Sequence, residues 1–211
     1  MQTNELIEEL ASDLQPTPSR ARRLATAVIA GAAAALVLVW SLFGFRADLS
    51  VAMLTAPFWM KWAFALVTAA IAFVLCARLA RPESKPGWWP VALTVPLFVL
   101  AIFACIELVN APPAERQMLW MGSSAFQCFW CIPALAAPFL LGALWAFRRF
   151  APTHLRLAGF SAGVLSGAAA AAVYALHCDE VAPAFVATWY SAGMLLPGVL
   201  GLTLGPRLLR W

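Results

Sequence analysis

The sequence predicts an all-α, polytopic membrane protein with six transmembrane helices and both termini in the cytoplasm. Three observations carry that reading. Of 211 residues, 63% are hydrophobic and only 11% charged; the mean hydropathy is +0.82; and the apolar residues collect into six long runs joined by short polar connectors. An ordinary soluble domain holds roughly 45–50% apolar and about 25% charged residues, and a fold of this size cannot hide the excess from water. A soluble enzyme, a disordered chain and a small disulfide scaffold are thereby excluded. So is a membrane β-barrel, whose strands alternate apolar with polar residues.

The spans follow in order. A helix crosses a hydrocarbon core of roughly 30 Å with about 20 apolar residues, which assigns spans to 24–45, 57–79, 88–110, 124–147, 157–176 and 184–206. The first is too long for a cleaved signal peptide and follows an acidic segment. Turn and breaker residues fill the connectors, as in Arg81-Pro82-Glu83-Ser84-Lys85-Pro86-Gly87 and Ala111-Pro112-Pro113-Ala114-Glu115-Arg116. None is long enough to fold as a catalytic domain. With the N-terminus inside, Arg20, Arg22, Arg23, Arg78, Arg81, Lys85, Arg148, Arg149, Arg156, Arg207 and Arg210 are cytoplasmic. Arg46, Lys61 and Arg116 lie on the opposite side, completing the 14 basic residues. This bias sets the orientation and explains the net charge of +4 and the pI near 9.0 without nucleic acid. Trp59, Trp62, Trp120 and Trp189 at outer ends, with Trp88, Trp89, Trp145 and Trp211 at inner ends, agree with these boundaries.

Within the spans, Gly159, Gly163 and Gly167 repeat at four-residue spacing and continue to Ala171, a flat stripe that admits a close helix neighbour. Packing inside the bundle is the first reading, a homo-oligomer contact the second. Pro90, Pro96, Pro133, Pro138 and Pro197 lie within spans, where kinks are tolerated.

The chain divides into a cytoplasmic segment, 1–20, and a six-helix domain, 21–211. On a helix over 3–15, Leu6, Ile7, Leu10 and Leu14 share one face, with Glu5, Glu8, Glu9 and Asp13 on the opposite flank. Thr3 or Asn4 caps its start and Pro16 and Pro18 end it. Four carboxylates would be repelled by anionic lipid, so the stripe suits a protein partner that orders it on binding, ahead of docking on its own bundle.

Of the five cysteines, Cys76 falls near an inner end, and Cys105, Cys128, Cys131 and Cys178 in the outer halves of spans. An oxidising outer compartment permits disulfides there, and thiolate with imidazole suits soft metals. His177 beside Cys178 strengthens the case for a soft-metal or redox site. The patterns GxxxxGK[ST], GxGxxG and HExxH are absent, which removes the usual residues for nucleotide-driven transport and zinc hydrolysis.

Two sets of residues then resemble a known family. The run Asn4-Glu5-Leu6-Ile7-Glu8-Glu9-Leu10-Ala11-Ser12-Asp13-Leu14, before a proline- and arginine-rich link, resembles the start of the NrsF-type membrane anti-sigma factors. Cys128-Phe129-Trp130-Cys131-Ile132-Pro133, Tyr174-Ala175-Leu176-His177-Cys178 and Phe185-Val186-Ala187-Thr188-Trp189-Tyr190 look like that family's two cysteine-bearing motifs. The resemblance covers essentially the whole chain. It implies a multi-pass bacterial inner-membrane regulator, not an enzyme, whose N-terminal segment (Leu6, Ile7, Leu10, Leu14, Glu5, Glu8, Glu9) holds an extracytoplasmic-function sigma factor. Release would follow heavy-metal or oxidative stress at periplasm-facing cysteines. Cys128 and Cys178 match the family's two sensor thiols; His177 and Cys131 are the additional candidate ligands. A soft-metal ion enters as signal, no cofactor is obligatory, and the partners are the sigma factor and the bilayer, with no direct nucleic-acid contact. The connector departs from the family pattern in carrying Asp179-Glu180 where a proline is expected. The competing reading is a membrane thiol oxidoreductase or soft-metal transporter using the same cysteines.

Overall fold

The structure is a computed structural model and describes residues 19–210 apart from 82, 84 and 151. The expected sigma-binding residues Glu5, Leu6, Ile7, Glu8, Glu9, Leu10 and Leu14 lie outside the described residues. Those described form an all-helical fold with six helices long and apolar enough to cross a membrane.

Helix α1 (Arg20–Leu42) starts four residues ahead of expectation because Ser19 Oγ caps it, accepting from Arg22 N–H at 3.2 Å. It ends where Gly44 takes φ +76°, with the N–H groups of Phe43 and Gly44 both donating to Val39 O. A single turn, Leu49–Ala52, leads to α2 (Ala56–Leu79). Next come α3 (Trp89–Asn110), a shorter α4 (Pro113–Met121), α5 (Ala125–Phe147), α6 (Leu155–Tyr174) and α7 (Pro183–Leu208). Two features depart from expectation. Residues 113–121, read as connector, form an amphipathic helix capping the bundle, and Val186–Tyr190 near the start of α7 is π-helical. Pro90 and Pro96 are not mid-helix kinks either: each sits in the first turn of one of the two pieces of α3, where a missing N–H costs nothing.

Helix α6 is the axis of the bundle, nearly all of it buried, with α7, α2, α5 and α1 packed around it. α3 is peripheral and meets mainly the start of α7. Lipid tails are as apolar as leucine, so association must come from close van der Waals packing and not from escape from water. The glycines supply it. A Cβ on Gly159 would collide with Gly201 O, one on Gly163 with Pro197 O, and one on Gly167 would lie 2.6 Å from Met194 O. The stripe is therefore consumed inside the chain, backbone against backbone. This corrects the alternative of a homo-oligomer formed through Gly159, Gly163 and Gly167: a second copy cannot reach a surface already covered by α7.

Gly163→Ala forces two backbones apart and is expected to cost about 3 kcal/mol or more. Gly142→Ala, whose Cβ would meet nothing nearer than the Ala27 methyl at 3.3 Å, should cost under about 1 kcal/mol. Monodispersity of the detergent-purified variants after stepwise heating measures the difference; equal midpoints would remove the glycine contact as the organising element.

Candidate functional site

The two thiols singled out in the sequence meet in space. Cys128 lies one turn inside α5, its N–H on Ser124 O, and Cys178 lies in the turn that closes α6, its N–H on Tyr174 O. Their sulfurs are 3.6 Å apart and both side chains are buried. Two sulfurs at that separation are in contact but not bonded, since a disulfide needs about 2.05 Å. Ser124 Oγ lies 3.6 Å from Cys128 Sγ and Tyr174 Oη 3.8 Å. Tyr190, from the π-helical segment, is fully buried in the same cluster.

A residue not predicted for the site holds it together. Lys61, placed by the sequence near an interface, is fully buried. Its Nζ donates to Cys178 O and Glu180 O, both at 2.7 Å, and lies 5.2 Å from the Tyr190 ring centre. A buried ammonium is tolerated only when its protons are satisfied, so the 178–180 backbone turns its carbonyls inward to meet it. The Cys178 thiol, just beyond the end of α6, is held below its ordinary pKa. The hydrogen bond with Cys128 is the main cause and the Lys61 charge adds to it, against the opposing effect of burial.

In the Asp179-Glu180 connector, where a proline is expected near the first position, Glu180 supplies rigidity by other means. Its Oε1 accepts from Ser123 N–H at 2.6 Å and Ser123 O–H at 2.9 Å. The preceding Gly122 has φ +55°, and a Cβ there would fall 2.5 Å from that same oxygen, so the turn admits this carboxylate only because it has no side chain. Glu107 Oε2 accepts from Ala184 N–H at 3.0 Å, tying α3 to the start of α7. Trp120 Nε1 donates to Thr188 Oγ1 (3.1 Å) and Trp189 Nε1 to Trp120 O (2.9 Å), clamping α4 over the π segment.

His177 is adjacent in sequence yet turned elsewhere. Its Nδ1 is 3.0 Å from Gly44 O and its ring packs on Phe43 and Tyr174, while Arg46 N–H donates to Leu176 O. It fastens the loop after α1 to the cysteine turn. Cys131 is half-buried one turn deeper on α5, Cys105 is exposed on α3, and Cys76 is buried far away against Ser161 Oγ. Among the described residues, no three His, Cys, Asp or Glu side chains are grouped to hold a metal ion, and Cys128 and Cys178 are the only thiols in mutual contact. A groove of about 510 Å³ lined by Arg46, Gln127, Ser124, His177 and Asp179 reaches Cys178 from the end of the bundle.

The chain is similar over its full length to known proteins. The probable anti-sigma-F factor NrsF of Azospira oryzae is 40% identical over 213 residues, and the anti-sigma-F factor NrsF of Caulobacter vibrioides 36% over 218, each alignment covering the whole of both chains. No solved structure matches the chain. The family described as negative regulator of sigma F matches residues 10–211, and the chain, with its buried cysteine pair, belongs to that family of membrane regulators, which are not enzymes.

Proposed function

We propose that this chain is an anti-sigma factor of the bacterial inner membrane that holds its sigma factor on the cytoplasmic side and reports on the periplasm through Cys128 and Cys178. The observation that carries the sensor half is the buried pair with its sulfurs 3.6 Å apart. Full-length similarity to anti-sigma-F factors carries the regulatory half, and points to a sigma factor of the F type, an extracytoplasmic-function factor.

In the resting state Leu6, Ile7, Leu10 and Leu14 enter an apolar groove of the sigma factor while Glu5, Glu8 and Glu9 meet its basic surface. The factor is then kept from core polymerase. Capture of a soft metal ion by both sulfurs, the Cys178 thiolate binding directly and the Cys128 thiol giving up its proton as it binds, is the signal that suits the geometry. Two metal–sulfur bonds of about 2.3 Å at a tetrahedral angle span roughly 3.8 Å between sulfurs, close to the spacing already present. A disulfide would instead require the sulfurs to close by about 1.6 Å, with two electrons passing to a peroxide or disulfide oxidant. Metal–thiolate binding supplies on the order of 10 kcal/mol, and about 5.5 kcal/mol moves a two-state switch from 1:99 to 99:1. His177 and Cys131 do not enter the resting pair; recruitment of either would need the cysteine turn to move.

Cys128→Ser and Cys178→Ser should each keep the sigma factor repressed yet abolish cadmium-dependent release of a sigma-driven reporter in cells; wild-type release from both variants would remove the pair as sensor. If peroxide but not cadmium loses its effect, the disulfide reading replaces metal capture. Leu10→Asp, at normal protein level, should leave the sigma factor constitutively active; unchanged repression would remove residues 3–15 as the docking helix.

The lowered Cys178 pKa has a sign that can be followed. Because the thiolate is favoured, its alkylation should rise at lower pH than that of free cysteine. Lys61→Met should move that rise to higher pH, with Lys61→Arg intermediate, when alkylation by iodoacetamide is followed by mass spectrometry across pH 5–9. Identical profiles in wild type and Lys61→Met would show that the lysine does not act on the thiol.

A further inference from the structure

At the end of the bundle opposite the cysteines, α6 and α7 open into a groove of about 770 Å³ lined by Arg156, Leu202, Thr203, Pro206, Arg207 and Arg210. That is within the roughly 300–1,000 Å³ typical of small-ligand sites. Three guanidiniums from two helix ends converge on it, and among the described residues none of them forms an ion pair. Their neighbours are engaged by contrast: Arg148 Nε donates to Leu208 O at 3.0 Å, and Arg149 lies 4.8 Å from the Trp145 ring centre. Thr203 turns its hydroxyl back onto Leu200 O, so the polar groups left to a ligand are the guanidiniums.

Helix stability does not account for this set. Arg207 lies in the last turn of α7, where a cation suits the dipole, but Arg156 lies in the first turn of α6, where the dipole opposes it. The groove also continues into a stripe of exposed apolar side chains along α7: Leu202, Leu200, Val199 and Leu195. A basic mouth leading onto a lipid-facing apolar track has the two-part chemistry of a phospholipid. An acidic peptide would find charge there but would have to lie against hydrocarbon.

We infer that this groove binds the headgroup of an anionic phospholipid, its phosphate held by Arg156, Arg207 and Arg210 and its acyl chains laid along the exposed face of α7. The site lies over a close contact between α7 and α6, where a Cβ on Gly205 would fall 2.5 Å from Leu155 O. A bound lipid would therefore bridge the two helices that also carry Cys178 and Tyr190 at the far end.

Native mass spectrometry of the full-length chain from detergent, titrated with diphosphatidylglycerol or with phosphatidylcholine, tests this. The wild type should retain diphosphatidylglycerol about tenfold better than phosphatidylcholine, and Arg156→Gln/Arg207→Gln/Arg210→Gln should lose that preference. Arg20→Gln/Arg22→Gln/Arg23→Gln, which removes equal charge from the start of α1 and none from the groove, should keep it. The three groove arginines are exposed, and should the triple variant aggregate, single Arg156→Gln with at least a threefold loss of retention serves in its place. Undiminished retention in the groove variant, equal loss in the control variant, or displacement of the lipid by millimolar inorganic phosphate would each overturn the inference. So would a tenfold rise in lipid binding in Glu5→Gln/Glu8→Gln/Glu9→Gln/Asp13→Gln, which would identify the chain's own acidic segment as the occupant.

Discussion

The contact on which this bundle depends is the one between the backbones of α6 and α7. In lipid there is no apolar surface to withdraw from water, so helices adhere in proportion to how closely their atoms approach. Gly159, Gly163 and Gly167 face Gly201, Pro197 and Met194 without side chains between them. That closeness fixes the height of the two helix ends beyond the contact, and these are the ends that carry Cys178 and Tyr190. Helices α2 and α5 then complete the cluster with Lys61 and Cys128. A looser pair of helices would leave the sulfurs unregistered.

The chemistry above that contact is held by an unusual division of labour. The thiols make few strong bonds of their own, and the groups around them do the positioning. Lys61 fixes the main chain at 178–180, Glu180 fixes the same turn to Ser123, His177 and Arg46 fasten it to the loop after α1, and the paired indoles of Trp120 and Trp189 hold the π-helical segment under α4. Extra residues in a helix turn widen it and redirect the side chains that follow, and here the redirected side chain is Tyr190. Three of these ties thus converge on one turn of backbone, and the fourth holds the segment that follows it.

Much of this was legible in the residues, for reasons that differ. The spans were readable because hydrocarbon thickness imposes a length and an apolar content, so the expected limits 57–79 and 88–110 differ from Ala56–Leu79 and Trp89–Asn110 by a single residue. The glycine stripe was readable as a close contact but not as to its partner, since Gly201 and Pro197 give no outward sign of which helix they face. Cys128 and Cys178 were found through motif resemblance, and nothing in spacing alone places residues 50 apart side by side. Lys61 was missed because a basic residue near a span end is ordinarily an interfacial anchor; its burial depends on where two distant carbonyls fall. The role of Glu180 was missed for the same reason, and the π-helical segment because hydropathy does not distinguish it from an α-helical turn.

Lys61 also bears on how the protein comes to be assembled. A lysine at the centre of a membrane helix costs about 2.5–3.5 kcal/mol on insertion scales, less toward the ends where it can reach water. The carbonyls that satisfy this one belong to Cys178 and Glu180, more than a hundred residues later in the chain. When α2 first enters the bilayer its ammonium must therefore reach out to the headgroups, and it can retract only after α6 has arrived and the turn beyond it has closed. The charge that sits beside the thiols in the finished molecule is thus also a mark of completion. A chain whose last third is missing or misplaced keeps an exposed cation in α2, and membrane quality control has a chemical difference by which to tell it from a finished one.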